Sequence, residues 1–323
     1  MTGTVKRALL TGGTGFVGAN LARGLLQGGH EVHCLVRPRH AVWRIEAIRA
    51  DLRLHEVDLA DGERLLQVVR EIRPDWIFHL AVHGAYSWQA DLGRMVRTNI
   101  LGTINLVGAC VATGFEGFVN TGSSSEYGFK DHAPAETEAL QPNSHYAVTK
   151  ASATHFCRYT AESRRLRLPT LRLYSIYGPW EEPGRLLPTL VCRGLEGALP
   201  PLADPETARD YVHVDDAVEA YLLAASHADQ PPGGIYNVGS GVQTSLRELV
   251  EVARRVLGLR AEPAWGAMAG RSWDTNVWVA DNRRAAEVLG WRPRLTVEEG
   301  FRQLVAWFAR EPALRERYRA GHR

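Results

Sequence analysis

The stretch Leu9-Leu10-Thr11-Gly12-Gly13-Thr14-Gly15-Phe16-Val17-Gly18 decides the fold. A short apolar run enters a glycine-rich turn, and helix-forming sequence follows through Leu26. The spacing Gly12-x-x-Gly15-x-x-Gly18, set between a strand and a helix, is the arrangement that cradles a dinucleotide pyrophosphate. Gly12 permits the tight turn, Gly15 lets backbone amides approach the phosphates, and Gly18 lets the helix pack closely on the strand. Phe16 and Val17 open the helix, whose N-terminus offers unpaired N–H groups and a positive dipole end.

Outward from that turn, apolar runs alternate with amphipathic segments. Arg7–Thr11, Glu31–Val36, residues 52–57, residues 76–81, residues 117–121 and residues 170–174 read as strands. Segments 63–72, 95–112 and 146–164 between them read as helices. Strand–helix alternation predicts a parallel sheet covered on both faces. After about residue 174 prolines become frequent, and helical patterns return at 216–225, 246–257 and 297–310. The expectation is an α/β, Rossmann-type doubly wound parallel sheet over residues 1–174. A smaller C-terminal lobe over 175–323 would bind substrate and return some segments to the sheet.

The 323 residues carry 38 basic and 36 acidic side chains, a formal charge of +2. No block of five or six like charges occurs, so nucleic acid is not an expected partner. Apolar residues at 45% and charged residues at 23% are ordinary for a globular protein. Near the start only Ala8-Leu9-Leu10 is continuously apolar, too short for a secretory core. No run approaches the ~18–20 apolar residues of a membrane span. Cys34, Cys110, Cys157 and Cys192 form no CxxC pair and no metal-ligand spacing. The expectation is therefore no metal site and a cytoplasmic location.

About twenty residues past the glycine turn, a carboxylate would grip the ribose hydroxyls of NAD. Val36-Arg37-Pro38-Arg39-His40 offers none. Arginines where a 2′-phosphate would sit point to NADP(H), Arg37 foremost, with NAD(H) the alternative. The plainer reading is solvated arginines beyond a strand end. Tyr146-Ala147-Val148-Thr149-Lys150 places a phenol and an ammonium at i and i+4 on one helix face. A neighbouring cation lowers a phenol's pKa by favouring the phenolate. Such pairs arise by chance on many helices. This one follows a strand ending in Thr121-Gly122-Ser123-Ser124-Ser125, which delivers hydroxyls to the same sheet edge.

Together with TGGTGFVG (11–18) and YAVTK (146–150), further stretches carry a resemblance. They are VDLAD (57–61), DWIFHLA (75–81), TNILGTINL (98–106), SSSEYG (123–128), LRLYSIYGP (171–179), ARDYVHVDD (208–216) and ADNRRAAEVLGWRPRLTVEEG (280–300). In this order they resemble the extended short-chain dehydrogenase/reductases of the nucleotide-sugar epimerase/dehydratase family along nearly the whole chain.

The resemblance implies NAD(P)-dependent chemistry on a nucleotide-diphosphate sugar. Asp58 and Leu59 would contact adenine, Leu80, Ala81, Val82 and Ile176 would line the cofactor, and Asn99 would lie buried nearby. Ser123 would hydrogen-bond the reacting sugar oxygen, Tyr146 would be the acid/base and Lys150 its pKa partner, and both Tyr146 and Lys150 would also contact the cofactor. Arg209 and Arg271 match arginines that clamp the substrate diphosphate, with Ser124, Ser125 and Ser175 also on the substrate side. The family also implies a homodimer through segments 144–166 and 92–113. Within 92–113, Leu106 and Val107 are candidates for an exposed apolar face, although core packing accounts for them equally well.

Departures from the family narrow the reaction. Dehydratases carry an acid pair directly after the catalytic hydroxyl, where this chain has Ser124 and Ser125, and decarboxylases tend to keep a glutamate at the second place. Glu126 follows one position later and would point to the other side of a continuing strand, unless a bulge turns it back. Redox chemistry at C4 remains. The form of residues 122–128 resembles reductases of 4-keto-6-deoxyhexoses, and Arg37 points the same way, so a reductase is expected. A 4-epimerase is the alternative, and a dehydratase, a decarboxylase or a non-catalytic dinucleotide-binding protein lies further off.

Overall fold

Ala8, Leu9 and Leu10 are fully shielded in strand β1 (Arg7–Thr11), because helices cover both faces of the sheet to which it belongs. The computed structural model describes residues 4–268 and 275–320. β1 pairs in parallel with β2 (Glu31–Val36) on one side and β4 (Trp76–His79) on the other. β3 (Leu52–Glu56) extends the first side, and β5 (Gly117–Ser123), β6 (Thr170–Leu173) and β9 (Ile235–Val238) extend the second. The order β3-β2-β1-β4-β5-β6-β9 reverses between β1 and β4. Ligands of such sheets bind beyond the carboxyl ends of the strands at that reversal. Gly12 and Leu80 stand there, immediately after β1 and β4.

The first six strands and the helices among them lie close to their expected positions. The final strand returns from beyond residue 174 to close the sheet. β7 (Ser175–Tyr177), β8 (Ala208–His213) and β10 (Gln243–Ser245) form a second sheet, parallel between β7 and β8 and antiparallel between β8 and β10. Helices Leu186–Gly194, Leu246–Leu257 and Val297–Arg310 bury Leu190, Leu249, Val250, Phe301 and Leu304 in a cluster with Tyr177 and Tyr211. Capping boxes, Ser245 with Glu248 and Thr296 with Glu299, start the last two of these helices.

The helix Leu92–Thr113 is 22 residues long with a mean window hydropathy of 1.3, so length and composition alone would let it cross a membrane. It is a core helix instead: Leu106, Val107, Ala109 and Cys110 are buried in the cluster that includes Val68, Val69 and Phe118. Leu106 and Val107 thus belong to the core. The apolar residues this helix exposes are Leu92, Val96, Leu101 and Ile104. Val96–Leu101 is a π-helical stretch, a local widening that recurs near functional sites.

Candidate active site

Gly12 adopts φ +71°, and a Cβ there would lie 2.7 Å from the Ala81 nitrogen. A Cβ at Gly18 would collide with the Gly12 carbonyl oxygen. The turn therefore works only with glycine, and it brings β1, β4 and the helix Phe16–Gln27 into direct contact. Gly15 caps that helix without a side-chain hydrogen bond, and no acidic residue occupies its first turn. Uncapped N–H groups and a bare dipole end suit a pyrophosphate.

A groove of about 710 Å³ opens above the turn, lined by Gly12, Gly15, Phe16, Val17 and Gly18. Arg37, Asp58 and Leu59 line one end, and Leu80, Ala81 and Val82 the wall after β4. Ser123, Tyr146, Ser175 and Ile176 line the other end. Arg37 is exposed beyond β2. Burial and the neighbouring Arg94 lower its pKa, while Asp58 raises it.

Asn99 is buried, as expected, and does not line the groove. Its amide accepts from the His83 nitrogen at 2.8 Å and donates to the His83 carbonyl and Thr149 Oγ1. It thereby fixes the wall 80–83 to two helices, which makes it a positioning residue. A further buried chain runs below that wall, with His79 Nδ1 2.7 Å from Thr11 Oγ1 and Nε2 2.8 Å from Thr103 Oγ1. Burial pushes the His79 pKa down to about 3, aided by the Lys150 charge.

Ser144 caps the helix His145–Arg164 by accepting from the Ala147 nitrogen, which sets Tyr146 in the first turn. Burial pushes the Tyr146 phenol up to about 12, against the contribution of the Ser123 hydroxyl to which it hydrogen-bonds. Lys150 is not among the strongest influences on this phenol, which are burial, Ser123, Glu126, Tyr86 and Arg185. Lys150 lies one turn deeper, almost fully buried, and burial lowers its own pKa while Glu126 and Cys157 raise it. Its ammonium makes no hydrogen bond to any described residue.

The backbone after Ser123 leaves the sheet as a 3₁₀ turn, Ser124–Tyr127, so the expected strand continuation does not occur. Ser123 and Glu126 form a capping box across it. Glu126 turns inward, where Oε1 accepts from the Ser123 nitrogen and Thr154 Oγ1 and Oε2 accepts from Arg172 Nε. Ser125 Oγ lies 2.7 Å from Ser123 Oγ. Ser124 is buried and faces a small side cavity with Tyr174 and Trp278, and it does not line the main groove.

A second cavity of about 650 Å³ lies against β7 and β8. Arg209 lines it, stacks 5.6 Å from the Trp278 ring centroid and donates to the Ala208 carbonyl. Arg271 lies outside the described residues. Ser175, Ile176, Glu181 and Arg185 line both this cavity and the groove, so the two adjoin there. Sequence reasoning missed Glu181 and Arg185. The loop bearing them is held by Trp180, a non-glycine residue at φ +71°. Arg23 stacks 4.2 Å from its ring centroid, Arg44 Nε donates to its carbonyl at 2.7 Å, and Trp43 and Trp307 pack on it. Tyr318 donates from far along the chain to the Glu181 carbonyl at 2.6 Å.

A glycine turn at the sheet reversal, a long groove and a tyrosine–serine pair at its end define a dinucleotide-dependent enzyme of the Rossmann class. Residues 8–239 match the model of the NAD dependent epimerase/dehydratase family. The chain belongs to that family of extended short-chain dehydrogenase/reductase enzymes. Among curated relatives, the UDP-glucose 4-epimerase of Mycolicibacterium smegmatis is 31% identical over 94% of this chain and 98% of its own. The GDP-6-deoxy-D-mannose reductase of Pseudomonas aeruginosa is 27% identical over 94% and 98%. dTDP-glucose 4,6-dehydratases also match. The solved structure of Thermus thermophilus UDP-glucose 4-epimerase in complex with NAD superposes with TM-score 0.80 at 29% identity, covering 94% of this chain and 99% of that one.

Proposed function

We infer that this chain moves a hydride at C4 of a nucleotide-diphosphate sugar, working as an NADP(H)-dependent reductase of a 4-keto-6-deoxyhexose nucleotide. The observation that carries the reading is the turn after Ser123. With serines at 124 and 125 and Glu126 tied to Arg172, no acid pair follows the reactive hydroxyl for elimination. Proton transfer at the C4 oxygen is left to Tyr146 and Ser123.

A bound nicotinamide dinucleotide supplies the hydride donor and acceptor. Gly12, Gly15, Phe16, Val17 and Gly18 hold its pyrophosphate, Asp58 and Leu59 flank the adenine, and Leu80, Ala81, Val82 and Ile176 form its walls. Lys150 has its ammonium uncommitted by hydrogen bonds to described residues and serves a ribose hydroxyl. Arg37, in the stretch 36–40 that carries no acidic residue, favours a 2′-phosphate. Tyr146, held protonated by burial, donates to the oxygen forming at C4 while Ser123 holds that oxygen. Arg209, Arg271 and Ser175 serve the sugar diphosphate in the lobe formed by residues 175–323. Exposed Leu92, Val96, Leu101 and Ile104 on one helix, with Val148 and Tyr159 on the next, suit pairing with a second copy.

A 4-epimerase is the second reading, favoured by the epimerases among the relatives. The test is incubation with NADPH and either dTDP- or GDP-4-keto-6-deoxyhexose, against UDP-glucose without added coenzyme. Stoichiometric NADPH consumption with the keto sugars is the expected result. Interconversion of UDP-glucose and UDP-galactose without net coenzyme change makes it an epimerase.

A further inference from the structure

Glu181 occupies a place in the site that the reaction described above does not use. Its side chain is about 5% exposed, and it lies where the groove and the second cavity meet. One carboxylate oxygen, Oε1, is 3.5 Å from Arg185 Nε. The other, Oε2, is buried and has no hydrogen-bond partner among the described residues. An ionisable oxygen left bare in a protein interior costs free energy, and a ligand hydroxyl that supplies the missing hydrogen bond recovers it. The loop is also built to keep the group there. Trp180 is held in its left-handed conformation by Arg23, Arg44 and two further tryptophans, and Tyr318 holds the Glu181 carbonyl.

We propose that Glu181 is a sugar-reading residue: its Oε2 accepts a hydrogen bond from a hydroxyl of the hexose where the nucleotide-sugar cavity opens onto the cofactor groove, with Arg185 holding Oε1. The proposal rests on the nucleotide-sugar reading above. A hexose bound between a nucleotide pocket and a nicotinamide must cross this junction, and few other groups there can read it. Of the four residues shared by the two cavities, Ile176 is apolar, Ser175 is assigned above to the diphosphate, and Arg185 is partly committed to Glu181. The carboxylate also selects by charge. A neutral hexose satisfies it, whereas a uronic acid would bring a second negative charge against it.

Burial raises the Glu181 pKa to about 7, opposed mainly by Arg185. Protonation weakens the acceptor by removing its charge, so sugar affinity is full above that value and weakens as pH falls through it. A hydrogen bond from the sugar favours the charged form, so bound sugar draws the pKa down.

The experiment compares wild type, Glu181→Gln and Arg185→Ala in calorimetric binding of UDP-glucose and UDP, and of the dTDP pair, from about pH 5.5 to 8.5. Glu181→Gln is expected to weaken the sugar nucleotide roughly tenfold with nucleoside diphosphate and NADPH binding unchanged, and to flatten the acidic limb. Arg185 is exposed, so its alanine variant folds. Loss of that cation is expected to move the limb to higher pH, a readout that stands even if Glu181→Gln does not fold. Equal sugar affinity and an unchanged pH profile in Glu181→Gln, or an unmoved limb in Arg185→Ala, overturns the proposal. So does wild type binding the sugar nucleotide no better than the diphosphate. Wild type that binds sugar nucleotides but passes no hydride overturns the oxidoreductase reading alone, because the Glu181 readout is affinity.

Discussion

Arg172 Nε donates to Glu126 Oε2 at 2.9 Å, and neither side chain reaches solvent. The pair sits directly beneath Ser123, whose backbone nitrogen donates to the same carboxylate. Arg172 Nη1 also donates to the Tyr127 hydroxyl, which donates in turn to Asn237 on β9. The carboxylate nearest Ser123 is thus a structural element joining β5, β6 and β9.

Breaking this pair should cost stability heavily. Removing one member of a buried ion pair leaves the other charge uncompensated, a loss of about 3–5 kcal/mol. Glu126→Ala is expected to lower the free energy of urea unfolding by that amount. A change below about 1 kcal/mol would place the pair among weak surface contacts.

Tyr146→Phe keeps the ring and removes the proton. The variant should retain wild-type cofactor affinity while kcat falls by about 10²–10⁴-fold. Single-turnover hydride transfer at saturating substrate reads this directly, and near-normal rates would remove Tyr146 from the chemistry.

Arg37→Asp exchanges the group proposed to favour a 2′-phosphate for one of the kind that grips ribose hydroxyls. A lost charge-assisted hydrogen bond of about 1.5–3 kcal/mol corresponds to roughly ten- to hundredfold weaker NADP(H) binding. NAD(H) affinity should hold or improve. Fluorescence titration with both reduced coenzymes gives the ratio, and an unchanged ratio means that Arg37 plays no part in coenzyme choice.

His79 makes stability depend on pH. Its folded pKa of about 3 lies below the ordinary histidine value of 6.5, so between the two the unfolded chain binds a proton that the folded chain refuses. Stability is therefore complete above pH 6.5 and declines as pH falls towards 3, by about 1.4 kcal/mol between pH 7.5 and 5.5. Other shielded histidines add to the decline. In His79→Gln the drop over that interval should shrink by about the same amount, measured by unfolding at both pH values. An undiminished drop would show that His79 is protonated without penalty.

The strands of the main sheet are legible in the sequence where burial on both faces demands continuous apolar runs, as in Ala8-Leu9-Leu10 and Trp76-Ile77-Phe78. β9 is not. Asn237 interrupts it, and only the folded chain shows why that residue is tolerated: its amide donates to the Pro134 and Asp281 carbonyls and accepts from Tyr127. The glycine turn is readable because Gly12 and Gly18 answer local steric demands. The fate of Glu126 is not, because a 3₁₀ turn and an extended strand place that carboxylate in opposite environments, and Arg172 is 46 residues away. Asn99 and Ser124 both turn inward, from a π-helical stretch and a 3₁₀ turn that no local pattern announces. Glu181, within Trp180-Glu181-Glu182-Pro183, has the composition of a solvated loop. Its one signal is an acid pair just past a strand at the ligand edge of the sheet.

Tyr318 ties a late helix to the loop that carries Glu181. Its ring packs edge-on against Phe308 and Trp307, and its hydroxyl secures the loop at Glu181. A chain shortened before about residue 312 would keep the glycine turn and every strand, and coenzyme would still bind. What it would lose is the brace on the Glu181 loop, so, if Glu181 reads the sugar as proposed, a preparation trimmed for crystallisation would test as competent for coenzyme yet indiscriminate among sugars.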